Sequence, residues 1–214
     1  MLTTFARILP LALTAAISPT GLLLVMSILS GKESPVKKSR AFILGAFVFL
    51  IALGLLISLT FHPAVQQTSN PGKTSAVIDI VLGLLILGVL VVSVFHKKKE
   101  KPAKKKKRKR PYTLLGFGYM LVNYSTLIPY IAAAKIINDG DLGFWEKLPL
   151  FVILILITMS LVSLPVAVTW LFPEQSGRIL GPVKTFMSRH GRTIANVFFL
   201  AMAIYLIVYG VSRI

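Results

Sequence analysis

The chain has no cysteine among its 214 residues. That excludes disulfides, thiolate metal sites and thiol-based electron transfer. Acidic side chains are scarce, seven against 24 lysines and arginines, and charged residues of all kinds make up only 14% of the sequence. A soluble domain carries about a quarter. Histidine occurs three times, as His62, His96 and His190, each at the end of an apolar run. No metal site is therefore expected. Also missing are a Ser-His-Asp set, paired carboxylates within one apolar run and a ligand cluster, so catalysis is not expected either. The chain is read as a non-enzyme without cofactor.

What is present is apolar sequence, 55% of the residues. Six runs are long enough to cross a bilayer, which takes about 20 residues of helix. They lie near Thr4–Leu29, Arg40–Phe61, Ser75–Phe95, Tyr112–Ile137, Leu148–Phe172 and Thr193–Ser212. The expected class is an all-α integral membrane protein, with no room for a separate soluble domain. The first run is too long for a signal peptide and has no basic start, so it is expected to remain in the mature protein.

The net charge of +17 suggests nucleic acid at first sight. Its distribution argues otherwise, because eleven of the basic residues fall between Lys97 and Arg110, in a loop between two spans. No nucleic-acid partner is expected. With Lys32, Lys37, Lys38 and Arg40 in the first loop, and Arg178, Lys184, Arg189 and Arg192 in the fifth, odd-numbered loops hold nineteen basic residues. The other side holds five: Arg7, Lys73, Lys135, Lys147 and Arg213. Positive residues stay cytoplasmic, which places both termini outside.

Two of the runs carry a break at their centre. In the first, Ser18-Pro19-Thr20-Gly21 interrupts the helix, since Pro19 has no N–H for the carbonyl of Ala15. In the fourth, Asn123-Tyr124-Ser125-Thr126 is followed by Pro129, which withholds a donor from Ser125. Non-helical backbone at membrane depth is tolerated only inside protein or beside a water-filled cavity. Similar signatures, Gly72-Lys73-Thr74-Ser75-Ala76 and Gly191-Arg192-Thr193-Ile194-Ala195, precede the third and sixth runs. Residues 1–95 and 112–214 thus read as two three-helix repeats joined by a polybasic loop, 96–111. Three spans is an odd number, so the second repeat enters from the opposite face, the inverted topology of many secondary transporters. Ser18, Pro19, Thr20, Asn123, Ser125, Thr126 and Pro129 are then expected to meet as a substrate site near the midplane.

Asp79 is the one acid well inside an expected span, about one turn from its outer end. An intramembrane carboxylate is costly and usually functional, which makes it the candidate proton- or cation-coupling group. The alternative is a carboxylate at interface depth, hydrated or near the dipole of the span's N-terminus.

The order of parts carries a resemblance. Leu11-Ala12-Leu13-Thr14-Ala15-Ala16-Ile17-Ser18-Pro19 opens the chain, Arg40-Ala41-Phe42-Ile43-Leu44-Gly45 begins the second span, Gly116-Phe117-Gly118 precedes the asparagine break and Arg178-Ile179-Leu180-Gly181 precedes the last span. Together they resemble the GAP family of glycolipid-addressing proteins, within the LysE superfamily of exporters. The family's fourth span usually has an Asn-Pro pair; here Asn123 is kept and Tyr124 stands in place of the proline. The resemblance implies a multi-pass protein of a prokaryotic plasma membrane that exports or relocates a lipidic or small polar molecule. Export of an amino acid or small ion, and accessory service to a larger lipid-export machine, are the other readings. Expected partners are membrane lipids, a glycolipid or small-molecule substrate and a second copy of the chain.

The topology has a direct test. A cysteine introduced beside Asn70 should react with an impermeant reagent added outside, and one beside Lys105 should not. Outside labelling at Lys105 would invert the assignment.

Overall fold

The computed structural model describes residues 1–31, 33–66, 70–95, 111–139 and 142–212. The loop expected at 96–111 lies outside the described residues except for Pro111. Eight helices follow in order: α1 (Leu2–Ala16), α2 (Pro19–Leu29), α3 (Pro35–Gln66), α4 (Pro71–Phe95), α5 (Tyr112–Val122), α6 (Tyr124–Asp139), α7 (Phe144–Leu171) and α8 (Ser176–Val211). No strand occurs among the described residues. Proline is the first residue of α2, α3 and α4. There its fixed φ suits the helix and its missing N–H would have had no intrahelical partner.

The two expected breaks are present. α1 and α2 form one run bent by 49°, and α5 and α6 one run bent by 74°. Pro10, Pro149, Pro165 and Pro182 lie inside helices that continue past them. Among the described residues three helices are long and apolar enough to cross a membrane, namely α3 over Pro35–Thr60, α7 and α8; each bent pair counted as one span brings the number to five.

The last helix departs from the expected limits. It starts at Ser176 rather than Thr193, so the fifth loop's basic residues are helical. At 36 residues α8 is about 54 Å long by the rise per residue, well beyond the roughly 30 Å of a hydrocarbon core. Its first turns hold together as an amphipathic stripe. Ser176, Leu180, Val183 and Met187 are half-buried at helical spacing while their neighbours are exposed. The stripe leads to Gly191, which is buried and where an added Cβ would sit 2.9 Å from the Pro19 ring.

α6 is the most enclosed element. Apart from Ile131, every residue from Pro129 to Asn138 is buried. Around it lie α1, α3, α7 and α4. The core joins Leu11 and Ala15 of α1, Leu50 of α3, Tyr130 and Ile137 of α6, Leu154 of α7 and Leu206 of α8. The Tyr130 hydroxyl is satisfied by the carbonyl of Leu50 at 2.8 Å. Outward faces are apolar as well, with Leu44, Leu55, Leu84, Leu156 and Val208 more than half exposed. Apolar residues outside and polar ones sequestered inside fit a lipid-facing bundle, where water does not drive helices together and close packing must.

That close packing is visible where α3 meets α5. A Cβ on Gly45 would lie 1.9 Å from the carbonyl oxygen of Thr113, and one on Gly116 would lie 1.9 Å from that of Phe42. The two backbones touch through reciprocal glycines. Gly45→Ala and Gly116→Ala should each lower the melting temperature in detergent, by about 1–3 kcal/mol or more of overpacking. Gly118→Ala meets nothing within 4 Å and should leave stability unchanged or raise it through helix propensity. Equal melting of all three variants would contradict this packing.

Candidate functional site

The two helix breaks meet. α1 ends at Ala16, and Ser18 caps α2, its side chain accepting from the amide of Gly21 at 3.4 Å. α5 ends at Val122, and Asn123 starts the hydrogen-bond ladder of α6, its carbonyl accepting from Thr126 and Leu127 at 3.0 Å. The Asn123 amide donates to Ser18 Oγ at 3.1 Å and to Thr126 Oγ1 at 2.9 Å. Ser125 Oγ donates to Asn123 Oδ1 at 2.7 Å. The carbonyl of Ala15, which Pro19 cannot serve, accepts from the Thr126 hydroxyl at 3.0 Å. Each break therefore satisfies the other across more than a hundred residues of sequence.

Six of the seven sequence-selected residues gather at or beside this junction. Ser18, Asn123 and Thr126 are buried, Pro19 and Ser125 are half-buried, and Thr20 is exposed. Two expectations are corrected. Ser18, Asn123, Ser125 and Thr126 are linked by direct hydrogen bonds, so the expected substrate site is a closed contact, which Thr20 joins through Tyr119. Pro129, moreover, does not make the break: it is buried inside α6, well past Asn123. The helix continues because a proline removes one donor but fixes a φ the helix accepts. The 74° turn falls at Asn123 instead, whose main-chain carbonyl accepts from the Thr126 and Leu127 amides while its side-chain amide bonds Ser18, Ser125 and Thr126.

The sequence reading missed Tyr119. Its hydroxyl lies 3.0 Å from both Ser18 Oγ and Thr20 Oγ1. Room for it is made by Gly21, where a Cβ would come within 2.9 Å of that hydroxyl. Tyr119, Thr20 and Ser125 form the more accessible edge of the junction. Two half-helix N-termini, those of α2 and α6, converge on it. Such ends carry unpaired N–H groups and partial positive charge, which favour an anionic guest.

The second polar centre lies where α4 begins and α6 ends. Asp79 is fully buried among protein groups. α4 begins at Pro71, so Asp79 sits two turns into the helix. It is held by Lys135, also missed from the sequence because it was counted with the outer charges. Lys135 Nζ donates to Asp79 Oδ1 at 2.6 Å and to Ser75 Oγ at 2.7 Å. It also pairs with Asp139 Oδ2 at 2.8 Å. The Ser75 hydroxyl donates in turn to Asp139. The ammonium's three donors thus meet three acceptors. One signal in the sequence was legible: Lys135 and Asp139 are four residues apart, behind Ala132-Ala133-Ala134, on the face that α6 buries. No group of three His, Cys, Asp or Glu residues fit for a metal ion occurs among the described residues.

Removing Lys135 would strand two carboxylates, whereas Asp79→Asn leaves the ammonium with Asp139 and Ser75. Breaking a buried ion pair at one partner costs about 3–5 kcal/mol. Lys135→Met should therefore melt far below Asp79→Asn in the same detergent. The reverse order would show that Lys135 is not the residue holding this centre together.

Neither a curated protein nor a solved structure matches the chain. The family model for Sap, the sulfolipid-1-addressing protein, matches residues 8–212, nearly the full length. The chain belongs to the sulfolipid-1-addressing protein family.

Proposed function

We propose that this chain is a six-span membrane transporter that moves an anionic amphiphile, and that the amphiphile's head group binds at the junction of Ser18, Thr20, Tyr119, Asn123, Ser125 and Thr126. The carrying observation is the convergence of two half-helix N-termini on one hydroxyl-rich point at the break of two bent spans. Discontinuous helices meeting in this way build substrate sites in secondary transporters. The family's name attaches its members to the addressing of a sulfolipid, which suits a site selective for negative charge. Binding, orientation and passage are assigned to this site, and no covalent chemistry on the substrate.

In this reading α4, 25 residues long, is the sixth membrane-crossing unit, and residues 1–95 and 112–214 are inverted repeats. The helix pairings support it. α3 lies on α5 as α7 lies on α1; α2 lies on α8 as α6 lies on α4; and α4 lies on α8. Exchanging the halves maps each of these pairings onto another or onto itself. A head group at the centre then needs the Ser18–Asn123 contact to open, first toward one face and then toward the other. In this reading both termini lie outside, as the charge distribution implies, in the plasma membrane of a prokaryote, as the family resemblance implies.

The test is lipid movement by purified protein in vesicles, using a labelled anionic glycolipid. Asn123→Ala removes an acceptor and a donor without adding bulk. It should reduce the rate at least tenfold while barely changing thermal stability, since interhelical hydrogen bonds in membranes average about 0.6 kcal/mol. Undiminished transport in the variant would remove the junction from the pathway. Failure of purified wild type to move any lipid would favour an accessory role in a larger export system.

A further inference from the structure

We infer that Thr20 sets the selectivity of the helix-break junction: with Tyr119 it presents the one hydroxyl proton for which the junction holds no acceptor, so the head group that fits is an oxyanion, a sulfate or phosphate ester, and not an ammonium. The head group is that of the transport reading, on which this assignment rests; the spare proton does not depend on it.

The order of protons begins at Pro19. The carbonyl of Ala15, left without its helical donor, takes the single proton of the Thr126 hydroxyl. The bond between Asn123 and Thr126 must then draw its proton from the asparagine amide, which fixes the side of Asn123 that carries nitrogen. The second amide proton goes to Ser18 Oγ, and Oδ1 accepts from Ser125. Ser18 Oγ also accepts from the amide of Gly21. A hydroxyl oxygen has two lone pairs, and both are now occupied. In its bond to Tyr119, 3.0 Å long, Ser18 is therefore the donor. Tyr119 and Thr20 are left with a proton each and one shared bond of 3.0 Å. Whichever of them donates, the other keeps a proton that no group of the junction accepts. Thr20 is exposed and Tyr119 half-buried, so this proton stands at the open edge.

A helical threonine or serine ordinarily disposes of its proton within its own helix. Thr14, Ser30, Thr60 and Thr169 do so here, each donating to the carbonyl four residues back. For Thr20 that carbonyl belongs to Ala16, on the far side of the break, where it accepts from the amide of Ser18 at 2.9 Å. The break that builds the junction thus denies Thr20 its local acceptor. Away from water an unpaired donor is costly, and a guest oxygen removes that cost. A sulfate or phosphate ester brings acceptors only. An ammonium brings donors only, and the hydrogen bonds of the junction include no carboxylate to receive it. A sugar hydroxyl, both donor and acceptor, falls between the two.

The test is equilibrium binding to the full-length protein in dodecyl maltoside, whose head group is uncharged, with decyl sulfate and decylammonium as probes of equal chain length. Wild type should show a single saturable site that prefers decyl sulfate. Association with the basic loops is common to all variants and drops out of the comparison. Thr20→Val leaves the spare proton on the half-buried Tyr119, and affinity for decyl sulfate should fall about tenfold, the worth of one hydrogen bond to a charged group. Thr20→Asp puts an acceptor where the donor was and should reverse the order of the two probes. Thr60→Val, which removes a hydroxyl bonded within its own helix, should bind both probes as wild type does. Unchanged affinity in Thr20→Val, or an order that survives in folded Thr20→Asp, would overturn the assignment. Displacement of decyl sulfate by equimolar inorganic sulfate would keep the oxyanion and make it a free ion, which counts against the amphiphile reading alone.

Discussion

A proline that cannot donate fixes the centre of this molecule. Pro19 leaves the carbonyl of Ala15 without its helical partner, and in hydrocarbon no water replaces it. The Thr126 hydroxyl supplies the bond from the other half of the chain. That bond requires α6 to start close to the end of α1, which in turn requires the fourth run to break at Asn123. The asparagine then bridges to Ser18, the cap of α2. One missing donor thus dictates where two bent runs cross and which side chains line the crossing. The enclosure of α6 follows, because the helix that leaves the crossing must pass through the middle of the bundle.

Electrostatics shape the far end of the same helix. α6 carries the half-helix N-terminus at the junction and, at its other end, the Lys135–Asp139 pair. The ammonium of that pair is also matched by Asp79 from α4. The junction and the ion cluster therefore share one rigid element, buried on nearly all sides. A single enclosed helix thus joins the helix-break junction to the charge centre.

The helical class, the two breaks and most of the junction were legible in the sequence, because each rests on a local rule. Apolar runs of span length, Pro19 at a helix start and Asn123 beside small hydroxyl residues carry their consequences within a few positions. The partners of those residues were less legible. Tyr119 meets Ser18 across about a hundred residues, and only Gly21, small enough to admit its ring, hints at the approach. Lys135 was hidden by a counting rule: near the end of a run, a lysine reads as a loop charge until the packing of α4 on α6 is known. The start of α8 was hidden for the opposite reason. Its basic residues look like a loop, but an amphipathic stripe from Ser176 to Met187 and the seat of Gly191 on Pro19 keep it helical.

The glycines show how such a bundle holds. Gly45 and Gly116 bring α3 and α5 to backbone contact, and Gly83 and Gly210 do the same for α4 and α8: a Cβ on Gly210 would lie 2.8 Å from the carbonyl oxygen of Ala76. These seams depend on shape and tolerate no side chain, so they suit helices that move as pairs. The polar contacts between Ser18 and Asn123, and between Asp79 and Lys135, lie along different lines, where α1 and α2 meet α5 and α6 and where α4 meets α6. Hydrogen bonds and ion pairs can exchange partners with a guest or a proton, whereas backbone-to-backbone packing cannot. The division of labour follows from the chemistry: glycine seams hold their helix pairs by shape, and the polar contacts join other helices by hydrogen bonds and charge.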